Sequence, residues 1–211
     1  MAVGRVNAAE LDAVTLDAYG TLVKLADPVP ALAEALAERG APRPHDVVLA
    51  GFHEEVAYYR AHTSEGHDEE GLARLQQDCA RVFLDSVGAD LDKAEFAPAY
   101  VGALHFEVLD GVPHSLDRLE ALGLELGVVA NWDLSLRRLL TEVGLNGYFG
   151  VVVHAAAKPA PDGLLRAIDE LGVEAGRILH IGDDAVDETA ARAAGVHFLP
   201  APLPTAIATL T

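Results

Sequence analysis

Along this chain, short apolar runs alternate with helical apolar stripes, except in one long stretch where only the stripes occur. The run Ala13-Val14-Thr15-Leu16 stops abruptly at Asp17, with Gly20-Thr21 close behind. That pattern predicts a buried strand over about residues 12–16 that delivers a carboxylate at its end. Residues 22–30, with Asp27, Pro28 and Pro30, read as a loop, and 31–39 as an Ala/Leu-rich helix closed by Gly40. After the breaker at 42–44, helices are predicted over about 46–62 and 67–87. Phe52, Val56 and Tyr59 share one face of the first, and Leu72, Leu75, Cys79, Val82 and Phe83 a face of the second. A further helix is expected over about 92–107, bent near Pro98. Residues 28–108 therefore read as all-helical, without a strand pattern.

From Gly111 the two patterns alternate. Predicted helices over 113–122, 134–143, 161–171 and 186–194 each precede a predicted strand, over 124–130, 150–153, 177–181 and 196–199 respectively. Strands and helices alternating at this length imply right-handed βαβ units on a parallel sheet, which the first strand must join. The expected fold class is α/β, with a core built from residues 1–27 and 109–211 and an inserted all-α cap over 28–108. The Pro-rich stretch 200–204 is read as the place where the fold stops.

Composition changes this picture in two ways. With 211 residues and 51% hydrophobic content the chain can bury a substantial core. Fifteen Lys plus Arg against 33 Asp plus Glu give a formal charge of −18 at pH 7, a field that opposes nucleic acids and anionic lipid surfaces. No nucleic-acid or membrane partner is expected, and an anionic small-molecule substrate would need a local cation. The single Cys79 cannot form an internal disulfide and is read as a small buried hydrophobe. Residues 1–10 carry no long apolar segment or cleavage-like site, and no run of about eighteen uncharged apolar residues occurs. The expected location is the cytoplasm.

The candidate chemistry lies at the carboxyl ends of the predicted strands, where open parallel sheets place ligands. The first strand ends at Asp17, the next at Asn131, the loop after the third carries Lys158, and the fourth ends in Gly182-Asp183-Asp184-Ala185-Val186-Asp187. Carboxylates gathered in one crevice repel one another unless a cation sits among them, and an all-oxygen site of this kind suits Mg²⁺. A nearby lysine balances a bound oxyanion. Taken singly, Asn131 could cap a helix, Lys158 could lie on the surface and the acidic triplet could simply open a helix; four strand-end coincidences in one order point to a site.

In these four motifs the chain resembles the haloacid dehalogenase superfamily of hydrolases with a helical cap. The resemblance extends to Val112-Pro113 before a helix, to Val128 through Trp132, and to Ala191 through Gly195. It implies a Rossmann-like core beneath an inserted cap. It also implies that Asp17 is the nucleophile, that Thr21 and Asn131 hydrogen-bond the transferring group, and that Lys158 steadies both. Metal ligands would be Asp17, the backbone carbonyl of Tyr19 and Asp183, with Asp184 or Asp187 holding metal-bound waters or Lys158.

Tyr19 departs from the family's phosphatases, which carry a second Asp there to protonate the leaving oxygen and activate water. D-x-Y-G-T instead resembles the dehalogenase branch, in which Asp displaces halide from a 2-haloacid without metal. Yet Gly182-Asp183-Asp184 stands where dehalogenases carry Ser-Ser-Asn, His53 where they carry a halide-binding arginine, and Leu164 where they carry a tyrosine. Because a backbone carbonyl is indifferent to its side chain, metal binding survives Tyr19. Phosphoryl transfer leans on positioning and charge neutralisation, and general acid help is worth about 10²–10⁴-fold. A slow or narrow Mg²⁺-dependent phosphatase is therefore preferred, ahead of a 2-haloacid dehalogenase and of an idle binding protein on the same scaffold. A receiver domain is rejected by motif order. Candidate substrate contacts are His53, Tyr58, Tyr59, Arg60 and His105 in the cap and Trp132 in the core, without a ranking among them; oligomeric state is left open.

Overall fold

A computed structural model describes residues 7–210; the reading made above for residues 1–6 lies outside them. In chain order come β1 (Ala13–Leu16), β2 (Val23–Leu25), α1 (Val29–Glu38), α2 (His45–His62), α3 (Glu69–Val87), α4 (Lys93–Gly102) and β3 (Phe106–Val108). There follow α5 (Val112–Ala121), β4 (Glu125–Val129), α6 (Leu136–Glu142), β5 (Val151–Val153), α7 (Asp162–Leu171), β6 (Ile178–Gly182), α8 (Ala185–Ala194), β7 (His197–Pro200) and α9 (Leu203–Ala208). The chain divides into two compact units, one running to Lys24 and resuming at Glu107, the other Leu25–Phe106.

In the first unit, five strands form a parallel sheet in the order β5-β4-β1-β6-β7, so the fold is α/β. β1 is central, with Ala13 opposite Glu125 of β4 on one side and Ile178 of β6 on the other. A strand covered on both faces needs a continuous rather than an alternating apolar run, and all four residues of β1 are fully buried. The sheet packs on apolar side chains of the helices: Leu164 and Ala167 of α7 and Ala190 and Ala191 of α8 share one cluster with Val129, Val153 and Ile178. Because strand order reverses at β1, the crevice for a ligand lies at its carboxyl end.

The second unit holds the four helices α1–α4 around its own core. Leu32 and Leu36, Phe52, Leu75, Cys79 and Phe83, and Phe96 and Tyr100 meet there, with the Phe83 ring 6.0 Å from Phe96 and 5.2 Å from Tyr100. Arg43 donates to Val87 O at 2.7 Å and to Gly88 O, filling orphan carbonyls at the end of α3. One carboxylate, Glu55, is buried in this core, and burial raises its pKa.

Four expectations need correction. Val23–Leu25 is a strand rather than loop, and Phe106–Val108 is a strand inside the stretch read as all-helical; the two pair as a separate ribbon. Three residues are too few for either periodicity to register. The helix expected to reach 107 stops at Gly102, since glycine weakens a helix interior by about 1 kcal/mol. The fold also does not stop at 200–204: Leu203, Ala206 and Ile207 of α9 are buried.

Candidate active site

Asp17 follows β1 directly, and its N–H still donates to Ile181 O of β6 at 2.9 Å. The chain then turns tightly, with Leu22 and Val23 N–H both donating to Ala18 O and Gly20 N–H donating to Val23 O. Gly20 has φ +77°, and a Cβ on it would lie 2.1 Å from Asp183 Oδ2. Only glycine accepts both the backbone and the approach of that carboxylate. Gly182 has a similar role at the end of β6, where a Cβ would meet Asp187 Cγ at 2.4 Å. The two glycines let the ends of β1 and β6 bring three carboxylates together: oxygens of Asp17, Asp183 and Asp187 all lie within 4.8 Å of one another.

Lys158 enters this group from the loop after β5. Its side chain is only 2% exposed, and Nζ lies 2.5 Å from Asp17 Oδ1 and 2.5 Å from Asp187 Oδ1. Asp187 is further held by the Asp184 N–H at 3.1 Å and by His180 Nε2 at 3.4 Å. His180 Nδ1 lies 3.0 Å from Thr15 Oγ1. In the neutral imidazole, Nε2 donating to the carboxylate leaves Nδ1 to accept from the Thr15 hydroxyl. A buried chain of polar groups thus runs from β1 through β6 to α8 and on to Lys158 and Asp17.

The electrostatics leave this cluster short of positive charge. Burial raises the Asp17 carboxyl, Lys158 only partly offsets this, and Asp187 adds to the rise. Burial likewise raises Asp183, with Asp187 and Asp184 reinforcing it. Asp187 goes the other way: burial pushes it up, but the bonds from His180 and Lys158 prevail and hold it at about 2. His180 itself is lowered by burial. One lysine among three carboxylates, two of them raised, is a donor set that fits a hard divalent cation.

The structure brings Asp17, Asn131, Lys158, Asp183 and Asp187 together, with several differences from the expected roles. The Asn131 amide, expected at the transferring group, is bonded to the main chain of Lys158: Oδ1 accepts its N–H and Nδ2 donates to its C=O, both at 2.8 Å. Asp184, expected near metal-bound waters, caps α8 by accepting from Val186 N–H. Asp187 holds Lys158, one of the roles considered for it. Thr21 Oγ1 is buried without a hydrogen-bond partner among the described residues, as suits a hydroxyl whose partner is a ligand oxygen. The Tyr19 side chain is 44% exposed. Trp132 is buried and its indole N–H donates to Ser135 Oγ at 3.2 Å, so that donor is already engaged. His53 and Arg60 are exposed on α2 of the helical unit and His105 is exposed after α4, while Tyr58 stacks on His62. The sequence reading missed Thr15 and His180; the available signal was a titratable residue within the apolar run Ile178-Leu179-His180-Ile181.

Comparison with known proteins agrees with this architecture. The family described as haloacid dehalogenase-like hydrolase matches residues 11–195. A phosphoglycolate phosphatase of Thiobacillus denitrificans is 31% identical over 200 residues, covering 88% of this chain and 80% of its own length. An N-acetylmuramic acid 6-phosphate phosphatase of Pseudomonas aeruginosa is 32% identical over 200 residues, covering 88% and 79%. In fold the chain is similar to the crystal structure of L-2-haloacid dehalogenase from Xanthobacter autotrophicus with chloropropionic acid covalently bound. That likeness has a TM-score of 0.64 at 22% identity and covers 89% of this chain and 76% of the other. Because the family match runs through the sheet and the helical segment alike, this chain belongs to the haloacid dehalogenase-like hydrolases.

Proposed function

We propose that this hydrolase is a Mg²⁺-dependent phosphatase acting on a small phosphate ester through an aspartyl-phosphate on Asp17, with residues 25–106 serving as the cap. The observation that carries the reading is the placement of Asp183 beside Asp17 with Lys158 already shared between Asp17 and Asp187. A second carboxylate facing the nucleophile needs a cation. The same carboxylate would repel the anionic substrate of a metal-free dehalogenase. The names of the phosphatase relatives support the same substrate class.

The ion would be held by Asp17, Asp183 and the Tyr19 carbonyl, and bound Mg²⁺ supplies neutralisation of phosphoryl charge. Asp17 attacks phosphorus in line, the bond to the ester oxygen breaks, and the phosphoryl group is left on the carboxylate. Lys158 balances charge on the group in transfer and holds Asp17 in one orientation, while Thr21 donates its hydroxyl to a phosphoryl oxygen. Water then attacks phosphorus, releasing inorganic phosphate and restoring Asp17. No carboxyl stands at Tyr19 to protonate the leaving oxygen, so substrates with good leaving groups, aryl and acyl phosphates, are favoured. Among the described residues no helix is long and apolar enough to cross a membrane, and the one cysteine is buried; both fit a cytoplasmic enzyme.

The runner-up, a 2-haloacid dehalogenase, is favoured by Tyr19 alone. Calorimetric titration with MgCl₂ separates the two. The wild type should bind one ion and Asp183→Asn none, and equal binding by both would remove the metal site placed here.

A further inference from the structure

The backbone that presents Lys158 is held against its own preference. Ala155 at φ 47° and Ala157 at φ 57° both lie in the left-handed region, where a Cβ crowds the neighbouring carbonyl and glycine alone sits without strain. Two such residues within three positions persist only where surrounding bonds over-determine the conformation. Here Ala155 N–H donates to Trp132 O at 2.7 Å and Ala156 N–H to Ala130 O at 3.2 Å. The third tie is the Asn131 side chain, bonded at 2.8 Å to both the N–H and the C=O of Lys158. A primary amide is an uncharged side chain that donates and accepts in one plane, as a peptide does. Alanine restores neither bond, and a carboxylate restores only one.

We propose that Asn131 is a positioning residue: its amide grips the main chain of Lys158 and holds the strained segment 155–158, so that the ammonium lies between Asp17 and Asp187. What the ammonium then does rests on the phosphatase reading above; the positioning itself does not. Ala157 is exposed, so its methyl contributes no packing. Glycine at that position relieves strain without opening a cavity, and the positioning claim therefore predicts rescue.

The experiment compares wild type, Asn131→Ala, Ala157→Gly and the double variant, using p-nitrophenyl phosphate with Mg²⁺ for kcat and KM and amide hydrogen exchange over 154–160. Asn131→Ala should melt cooperatively, exchange faster over that segment and lose about 10²-fold in kcat with little change in KM. Adding Ala157→Gly should recover about tenfold in kcat together with the lost protection; on its own it should leave both near wild type. Unchanged kcat and exchange in Asn131→Ala would overturn the proposal. So would a loss carried mainly in KM that glycine does not recover, because Asn131 would then be touching substrate. If Asn131→Ala does not fold, Asn131→Asp, which keeps one bond, is read by the same criteria. A wild type without turnover on any phosphate ester sinks the phosphatase reading alone, and exchange over 154–160 still decides the positioning claim.

Discussion

Lys158 Nζ lies 2.5 Å from Asp187 Oδ1, and both side chains are almost completely buried, at 2% and 1% exposure. Lys158 is therefore held by a second carboxylate besides Asp17, the one proposed as nucleophile. This second carboxylate is supplied by the first turn of α8, where the macrodipole also favours negative charge. Asp187 receives His180, Lys158 and the Asp184 N–H together. His180 and Lys158 between them account for a carboxyl held at about 2 in spite of burial.

A pH dependence of stability follows. A group whose pKa is depressed on folding contributes stability that is fully present above its unfolded value and is lost as pH falls through the folded value. For Asp187 the window runs from about pH 4 down to about pH 2. The contribution is of order 2–3 kcal/mol. Urea unfolding across this range should show a loss of that order in wild type and a flatter profile in Asp187→Asn. Parallel profiles would place the acid sensitivity elsewhere.

Asp17 carries the opposite sign. Burial raises it, so without metal its ionisation opposes folding as pH rises beyond the ordinary carboxylate range. Asp17→Asn should therefore unfold at the same or higher temperature than wild type at pH 7 in EDTA, while losing turnover completely, because an amide is not a nucleophile. Retained turnover would show that the reaction does not pass through this carboxylate. A marked drop in melting temperature would contradict the burial cost assigned to it.

Gly20 should tolerate no side chain. Alanine there would place its Cβ 2.1 Å from Asp183 Oδ2 on a backbone at φ +77°. Asp183 must then move, and the pair it forms with Asp17 must open. Gly20→Ala should weaken Mg²⁺ binding measured by calorimetry and cut kcat by about 10²-fold. Wild-type affinity in this variant would show that Asp183 is not a ligand.

How much of this was legible in the sequence depends on the length scale of each feature. The sheet was visible because its buried strands are continuous apolar runs set between helices. The convergence of Asp17, Lys158 and Asp183 was visible because parallel strands place all their carboxyl ends on one edge. β2 and β3 were invisible because three residues carry no period. The division of labour inside the site was also hidden: which of Asn131, Asp184 and Asp187 touches Lys158, caps a helix or faces a ligand depends on side-chain directions that spacing does not encode. The Thr15–His180–Asp187 chain spans two adjacent strands and a helix, and only the register of Thr15 opposite His180 creates it.

In the proposed reaction Tyr19 sets the substrate preference. Its side chain is exposed and supplies no carboxyl to protonate a leaving alkoxide. Tyr19→Asp should raise kcat/KM on simple alkyl phosphates by about 10²-fold and on aryl phosphates much less, since general acid help matters only where the leaving group needs a proton. Equal gains on both classes would show that leaving-group protonation is not what the tyrosine removes. For a dehalogenase the same substitution should be harmful, because halide departs unaided.

The most direct measurement of the central claim is product release by the purified wild type, given an aryl phosphate or 2-chloropropionate, each with Mg²⁺ and with EDTA. The account predicts inorganic phosphate from the aryl phosphate only when Mg²⁺ is present, and no chloride from 2-chloropropionate in either condition. Chloride release that is independent of metal, with no phosphate release, would contradict it.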